Sequence, residues 1–257
     1  MKVLRWIMTT VLWAILPLQE KYCFGFNEPL NLDNFSYQER TQILATEVYK
    51  PSIFYYELYQ MIKDTHEIFE KYHINYWAVA GTLLGAARHK GLIPWDDDGD
   101  LGMDYQDSEK LLSLKGIFED LGYDLSPLPS IGFVIKPNMR FPGWYFGMPL
   151  LNLEIFTCEK KEGRYIYAEE HARKLFPKEW IPEDHVTNKV LYPFGPFHIW
   201  GPSQSEEYLD RVYPNWQHVG IRDHSHTNFF SRSYRWTLEP HHKIPAPCPL
   251  LWNRVRS

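Results

Sequence analysis

Residues 77–103 read WAVAGTLLGAARHKGLIPWDDDGDLGM, and this stretch decides the fold. It opens inside a short apolar run, Tyr76-Trp77-Ala78-Val79-Ala80, which reads as a buried strand. Gly81-Thr82 ends the run, and Leu83 to His89 has the character of a short helix. Gly91-Leu92-Ile93-Pro94 turns the chain. The acidic cluster Asp96-Asp97-Asp98-Gly99-Asp100 follows, and Leu101-Gly102-Met103 returns to buried-strand composition. Strand and helix thus interleave within one short stretch, which predicts a mixed α/β or α+β domain.

The acids carry the chemistry. Like charges this close repel one another unless a cation sits among them or they splay into water. Side chains on a strand alternate faces, so Asp96, Asp98 and Asp100 are expected on one face and Asp97 on the other. Carboxylates sharing a face make an oxygen site suited to Mg²⁺ or Mn²⁺. The apolar flanks, Leu92 to Trp95 and Leu101 to Met103, favour that reading over an exposed acidic turn. A calcium loop fits less well, because its glycine and distal glutamate are misplaced. Upstream, Gly81 and Thr82 start a helix whose free amides suit a phosphate. Arg88, His89 and Lys90 then put positive charge between the glycine turn and the acids, although a basic helix C-terminus has the same pattern. Amides, a basic trio and metal carboxylates together are what a nucleoside diphosphate requires.

Further out, Tyr37 to Tyr49 and the stretch from Ser52 to Tyr72 read as helices separated by Pro51. In the second, Phe54, Leu58, Met61, Ile62, Ile68 and Phe69 form an apolar stripe, and Glu57, Lys63, Asp64 and Glu67 read as a solvated face. A helix is expected from Asp107 or Ser108 to Asp120. Strands are expected at Ile131–Ile135, Leu150–Phe156, Arg164–Ala168 and Phe197–Trp200, and a helix at Ser205–Val212. Beyond Pro214 the chain is rich in His, Trp and Pro, and no element is assigned. Trp144, Tyr145 and Phe146 suit base or sugar stacking as well as plain core packing.

The 257 residues are 44% apolar and 23% charged, a globular balance, and the net charge of −5 argues against a general nucleic-acid binder. Residues 1–25 differ from the rest. A basic start and the apolar run Trp6 to Leu18 read as a secretory signal or an uncleaved membrane anchor. In an oxidising lumen Cys158 and Cys248 either pair or remain buried thiols. Asn34-Phe35-Ser36 is a glycosylation acceptor in that setting. The expected layout is a signal or anchor at 1–25, a lead-in at 26–50, the catalytic domain at 51–220 and a C-terminal extension at 221–257.

The stretch Trp77 to Met103 resembles the signature of the LicD family, which includes bacterial phosphocholine transferases, fukutin and fukutin-related protein. Leu150 to Phe156 (LLNLEIF) and Glu207 to Trp216 (EYLDRVYPNW) are similar to two further segments of that family. The resemblance implies a nucleotidyltransferase-like mixed sheet flanked by helices, with an irregular C-terminal elaboration. It also implies Asp98 and Asp100 as metal ligands, Asp96 as a further acid, Glu154 as the third carboxylate, and Gly81 and Thr82 as a phosphate-facing turn. Transfer of a phospho-substituted group, such as phosphocholine or an alditol phosphate, from a CDP-linked donor to a glycan is the implied activity, with Mg²⁺ or Mn²⁺ as cofactor. Three positions depart from the family pattern: Gly99 for a branched apolar residue, Glu154 for Asp, and Pro214 for Gly. A catalytically inactive secreted module that binds a glycan or a nucleotide-linked donor is the alternative.

Overall fold

The computed structural model describes residues 28–50, 52–138, 151–222, 233–248, 251, 254 and 255. The N-terminal apolar segment, Cys23 and the Trp144-Tyr145-Phe146 triplet lie outside these residues.

The strands, in chain order, are β1 (Leu30–Asn31), β2 (Tyr76–Ala78), β3 (Asp98–Asp104), β4 (Tyr123–Leu128), β5 (Gly132–Pro137) and β6 (Asn152–Lys161). They continue with β7 (Arg164–Tyr167), β8 (Ile181–Pro182), β9 (Val190–Phe194), β10 (Phe197–Gly201), β11 (Val219–Arg222) and β12 (Tyr234–Thr237). Among the described residues the main sheet runs β2-β3-β6-β5-β4, with β7 added to the far half of β6 and β8 to β7. β3 and β6 are parallel, and the other pairs in this sheet are antiparallel. It is therefore a mixed sheet flanked by helices, as the sequence leads one to expect.

The Ser52–Lys71 helix covers one face of β3 and β6. Leu58, Met61, Ile62, Ile68 and Phe69 are fully buried along its stripe, and each such side chain contributes about 1.5–3 kcal/mol of transfer free energy. Its supposed solvated face is partly core. Asp64 is fully buried, accepting hydrogen bonds from Gln60 Nε2 (2.8 Å) and Tyr123 OH (2.7 Å) and pairing with Arg254 at 3.3 Å. Gly99 on β3 faces this helix: a Cβ there would lie 2.9 Å from Leu153 Cδ1 and 3.2 Å from Ile62 Cδ1. The departure at Gly99 is thus a packing matter, since Ile62 occupies the space a branched side chain would need.

The expected Ser108–Asp120 helix breaks at Leu114 into Ser108–Ser113 and Lys115–Asp120, so that Leu111, Leu114 and Phe118 can all be buried. β4, a segment to which the sequence assigns no element, contains Pro127 and tolerates it because it is an edge strand.

After Pro214 the chain forms β11 and β12. β12 pairs antiparallel with β11 and parallel with β1, so the lead-in and the C-terminal segment build one three-stranded sheet. The boundary expected at 220/221 falls inside β11. Trp236 of β12 packs edge-on to Trp95 at 4.7 Å between ring centroids, which ties this sheet to the acidic segment. Cys158 and Cys248 remain separate thiols. No helix among the described residues is long and apolar enough to cross a membrane.

Candidate active site

The parallel register of β3 and β6 sets Asp98 opposite Asn152 and Asp100 opposite Glu154. Register partners in neighbouring strands share a face, and alternation keeps Asp98 and Asp100 together, so all four side chains lie on one side of the sheet. Carboxylate oxygens of Asp98, Asp100 and Glu154 lie within 4.8 Å of one another. Those of Asp96, Asp97 and Asp98 do the same, so Asp98 belongs to both groups.

Asp96 and Asp97 precede β3, and strand alternation does not govern them. Asp97 therefore joins the second acidic group instead of turning away from it. It is also held by Lys50 Nζ at 2.9 Å, in a pair with only 10% and 3% of the two side chains exposed.

Burial pushes the Asp98 and Asp100 carboxyls well above the usual carboxylate range, and repulsion from Asp96 and Glu154 adds to it in both. A cation among the acids reverses that balance. Two further features fit one. A Cβ on Gly81 would stand 2.6 Å from Asp96 Oδ2 and 3.2 Å from Asp100 Oδ2, so glycine leaves the carboxylates their place. The buried Asn152 Oδ1, on the same face as Asp98, has no hydrogen-bond donor among the described residues. An all-oxygen donor set with a spare amide carbonyl suits a hard divalent ion such as Mg²⁺ or Mn²⁺.

The glycine turn is used differently from expectation. The helix begins at Ala80 and runs to Arg88, so Gly81 and Thr82 lie in its first turn. Gly81 N–H donates to Asp100 Oδ2 (3.0 Å), and Asp100 N–H donates to Thr82 Oγ1 (2.8 Å). The Gly81 N–H and the positive end of the helix are spent on the Asp100 carboxylate, an interaction that favours its ionised form, while Thr82 Oγ1 holds the Asp100 backbone. Gly81 still lines the cavity beside the acids, whereas Thr82 is buried as a brace. Ala80 takes a left-handed φ of 42°, a strained conformation for a residue with a Cβ, and its N–H donates to Tyr208 OH (3.1 Å).

The basic trio separates. Arg88 lines the cavity; its Nη1 donates to the carbonyls of Trp216 (2.6 Å) and Val219 (3.3 Å), and its guanidinium lies over Trp95 at 5.5 Å. Burial lowers its pKa to about 10, which leaves it charged at neutral pH. His89, placed by the sequence reading at a phosphate, is buried at the helix end with Nε2 on the His242 carbonyl (3.1 Å); burial and Arg88 bring its pKa down to about 3, so it is neutral. Lys90 follows with φ 62°, and its exposed Nζ donates back to the Ala87 carbonyl (3.0 Å). Ending the helix at Arg88 points the next two residues away from the acids.

The cavity has a volume of about 420 Å³. Acids line one part of it, and Trp95, Phe156, Phe176, Tyr213 and Trp216 give it aromatic walls. Arg222 and Glu179 also line it, and neither carries a local sequence signal. Tyr213 stands near enough to Glu179, Asp100, Asp96 and Asp98 that their charges add to burial in pushing its phenol well up. Only the fold brings these residues to the acids.

A mixed sheet flanked by helices, with carboxylates from two adjacent strands meeting beside a cavity, is the architecture of a nucleotidyltransferase-type domain. The chain belongs to the LicD family: the family described as LicD/FKTN/FKRP, nucleotidyltransferase domain, matches residues 73–204, just over half of its length. An uncharacterized protein of Rickettsia prowazekii is 35% identical over 164 residues, covering 64% of this chain and 56% of that one. The lipopolysaccharide cholinephosphotransferase LicD of Haemophilus influenzae is 45% identical over 49 residues, 19% of this chain and 18% of its own. Ribitol 5-phosphate transferase FKRP of Mus musculus is also 45% identical over 49 residues, 19% of this chain and 10% of its own. The chain spans about half the length of the rickettsial relatives it matches. At the level of the family, these similarities support a phospho-group transferase.

Proposed function

We propose that this chain is a divalent-metal-dependent transferase of the secretory pathway. It moves a phospho-substituted group, such as phosphocholine or an alditol phosphate, from a CDP-linked donor to a glycan. The observation that carries the reading is the convergence of Asp98, Asp100 and Glu154 beside a cavity large enough for a small ligand. The names of the cholinephosphotransferase and the ribitol phosphate transferase point to the same kind of transferred group.

Asp98, Asp100 and Glu154 would hold one ion, and Asp96 and Asp97 with Asp98 a second. Bound there, Mg²⁺ or Mn²⁺ supplies neutralisation of charge on the diphosphate as the nucleotide leaves. Gly81 and Thr82 fix Asp100 in place. Arg88 adds a fixed positive charge to the cavity wall. The aromatic walls exclude water and offer faces to a base or a sugar.

The reading is tested by incubating the purified protein with Mn²⁺ and a panel of CDP-linked donors and acceptor sugars, and measuring CMP. Wild-type protein releases CMP, and Asp98→Asn and Asp100→Asn lose roughly a thousandfold in rate or more. Folded Asn variants that turn over at the wild-type rate refute the assignment. Secretory location is tested by glycosylation of Asn34, which is exposed, in a cell expressing the full chain.

A further inference from the structure

The cavity holds a carboxylate outside both acidic groups. Glu179 lies between the Glu170–Leu175 helix and β8, and lines the cavity. Its Oε2 accepts hydrogen bonds from Tyr208 OH (2.9 Å) and Tyr167 OH (2.5 Å). Tyr208 OH in turn accepts from the strained Ala80 at the head of the acid-bracing helix (3.1 Å). Glu179 Oε1 makes no hydrogen bond among the described residues and is left to the cavity.

The transfer needs a group to take the acceptor's proton. The acids of β3 and β6 suit that task poorly, because carboxylates that hold cations have their lone pairs engaged and their basicity lowered. Glu179 belongs to neither convergent group, yet faces the same cavity. Two phenols hold one oxygen and so fix its rotamer, which leaves the other oxygen without a donor among the described residues. Phe176, on the same wall, is 38% exposed, so this side of the cavity reaches solvent and admits an acceptor.

We propose that Glu179 is the proton acceptor for the incoming hydroxyl, a role that rests on the phosphotransfer reading above. The hydroxyl oxygen forms a bond to the distal phosphorus of the donor as the bond from that phosphorus to the bridging oxygen breaks. The electron pair leaves with CMP, and the hydroxyl proton moves to Glu179 Oε1. Solvent then removes the proton, so the products are CMP and the phosphodiester of the acceptor. Facing Glu179 are Tyr167 of β7, Tyr208 and Tyr213 at the Ser205–Val212 helix, Asp100 of β3 and Cys158 of β6. Burial raises its carboxyl and the two phenol donors hold it back, which brings a carboxylate base closer to neutral pH.

Glu179→Gln is the deciding variant, because the amide oxygen still accepts from both phenols but cannot take a proton. With CDP-choline and CDP-ribitol as donors, methyl glycosides as acceptors and Mn²⁺ present, kcat is expected to fall about 100-fold or more. Donor KM, Mn²⁺ binding and Tm remain at wild-type values, and with Mn²⁺ held saturating at every pH the acid limb of the kcat/KM profile disappears. Turnover within threefold of wild type, or a loss that comes with lost Mn²⁺ binding, overturns the role. If the Gln variant does not fold, the wild-type profile and Glu179→Asp decide: a wild type without an acid limb, or an Asp variant that has lost the limb, is equally fatal. Absence of CMP release from wild type itself removes the phosphotransfer reading and this role together, and is distinguished by appearing before any substitution.

Discussion

Gly81→Ala separates site geometry from fold stability. Gly81 is helical and its φ is not in the left-handed region, so alanine suits the backbone. Within a helix this change favours folding by roughly 0.5–1 kcal/mol. The new methyl, however, would start 2.6 Å from Asp96 Oδ2 and 3.2 Å from Asp100 Oδ2. Ordinary contact requires the Asp96 carboxylate to retreat by roughly 1 Å. Asp96 ends a side chain that can rotate, so the fold survives, but one oxygen of the Asp96-Asp97-Asp98 group is displaced. Disturbing a metal site at this level typically costs 10- to 100-fold in affinity, or about 1.4–2.8 kcal/mol. Metal-free Tm is thus expected at or slightly above wild type, while Mn²⁺ affinity, read by calorimetry or by the paramagnetic signal of free Mn²⁺, drops at least tenfold. An alanine variant that binds Mn²⁺ like wild type refutes the placement of Asp96 at the ion.

Three other outcomes follow from the same geometry. Lys50→Met removes the 2.9 Å ion pair from the buried Asp97 while Arg222 stays close enough to feel its charge, and a loss of about 1.5–3 kcal/mol is expected in metal-free urea unfolding; an unchanged midpoint contradicts the pair. Asp98 and Asp100 have raised folded-state pKa values, so the folded chain keeps protons that the unfolded chain releases. Their contribution is therefore lost as pH rises from the unfolded carboxylate value of about 4 through the folded ones, and the gain in Tm from Mn²⁺ grows from pH 5 to pH 7.5. A gain that shrinks over that interval rules this out. Gly99→Val pushes methyls into Leu153 and Ile62 and costs about 1–3 kcal/mol in chemical denaturation; adding Ile62→Ala recovers part of it, and simple additivity of the two losses argues against the contact.

Much of the fold is legible locally. The Ser52–Lys71 helix declares itself through its apolar stripe, and Ser205–Val212 is found with the bounds the sequence suggests. Leu114 misleads, because burial of three apolar side chains breaks one helix into two. Asp64 misleads for a related reason: an acid on the polar side of a helix is buried once Gln60, Tyr123 and Arg254 surround it. In the basic trio, charge alone cannot say where a helix stops, and stopping at Arg88 turns His89 and Lys90 away.

Sequence alone determined the alternation that puts Asp98 beside Asp100, the presence of a short helix between the first buried strand and the acids, and the family to which the residues belong, because each depends on neighbours a few positions apart. Tertiary structure alone decided that Glu154 stands opposite Asp100, that Gly81 and Thr82 serve that aspartate, and that Glu179 faces the cavity. The register between β3 and β6 is set by packing across distant segments, and no local spacing encodes which side chains a closed sheet brings within reach of a shared ion.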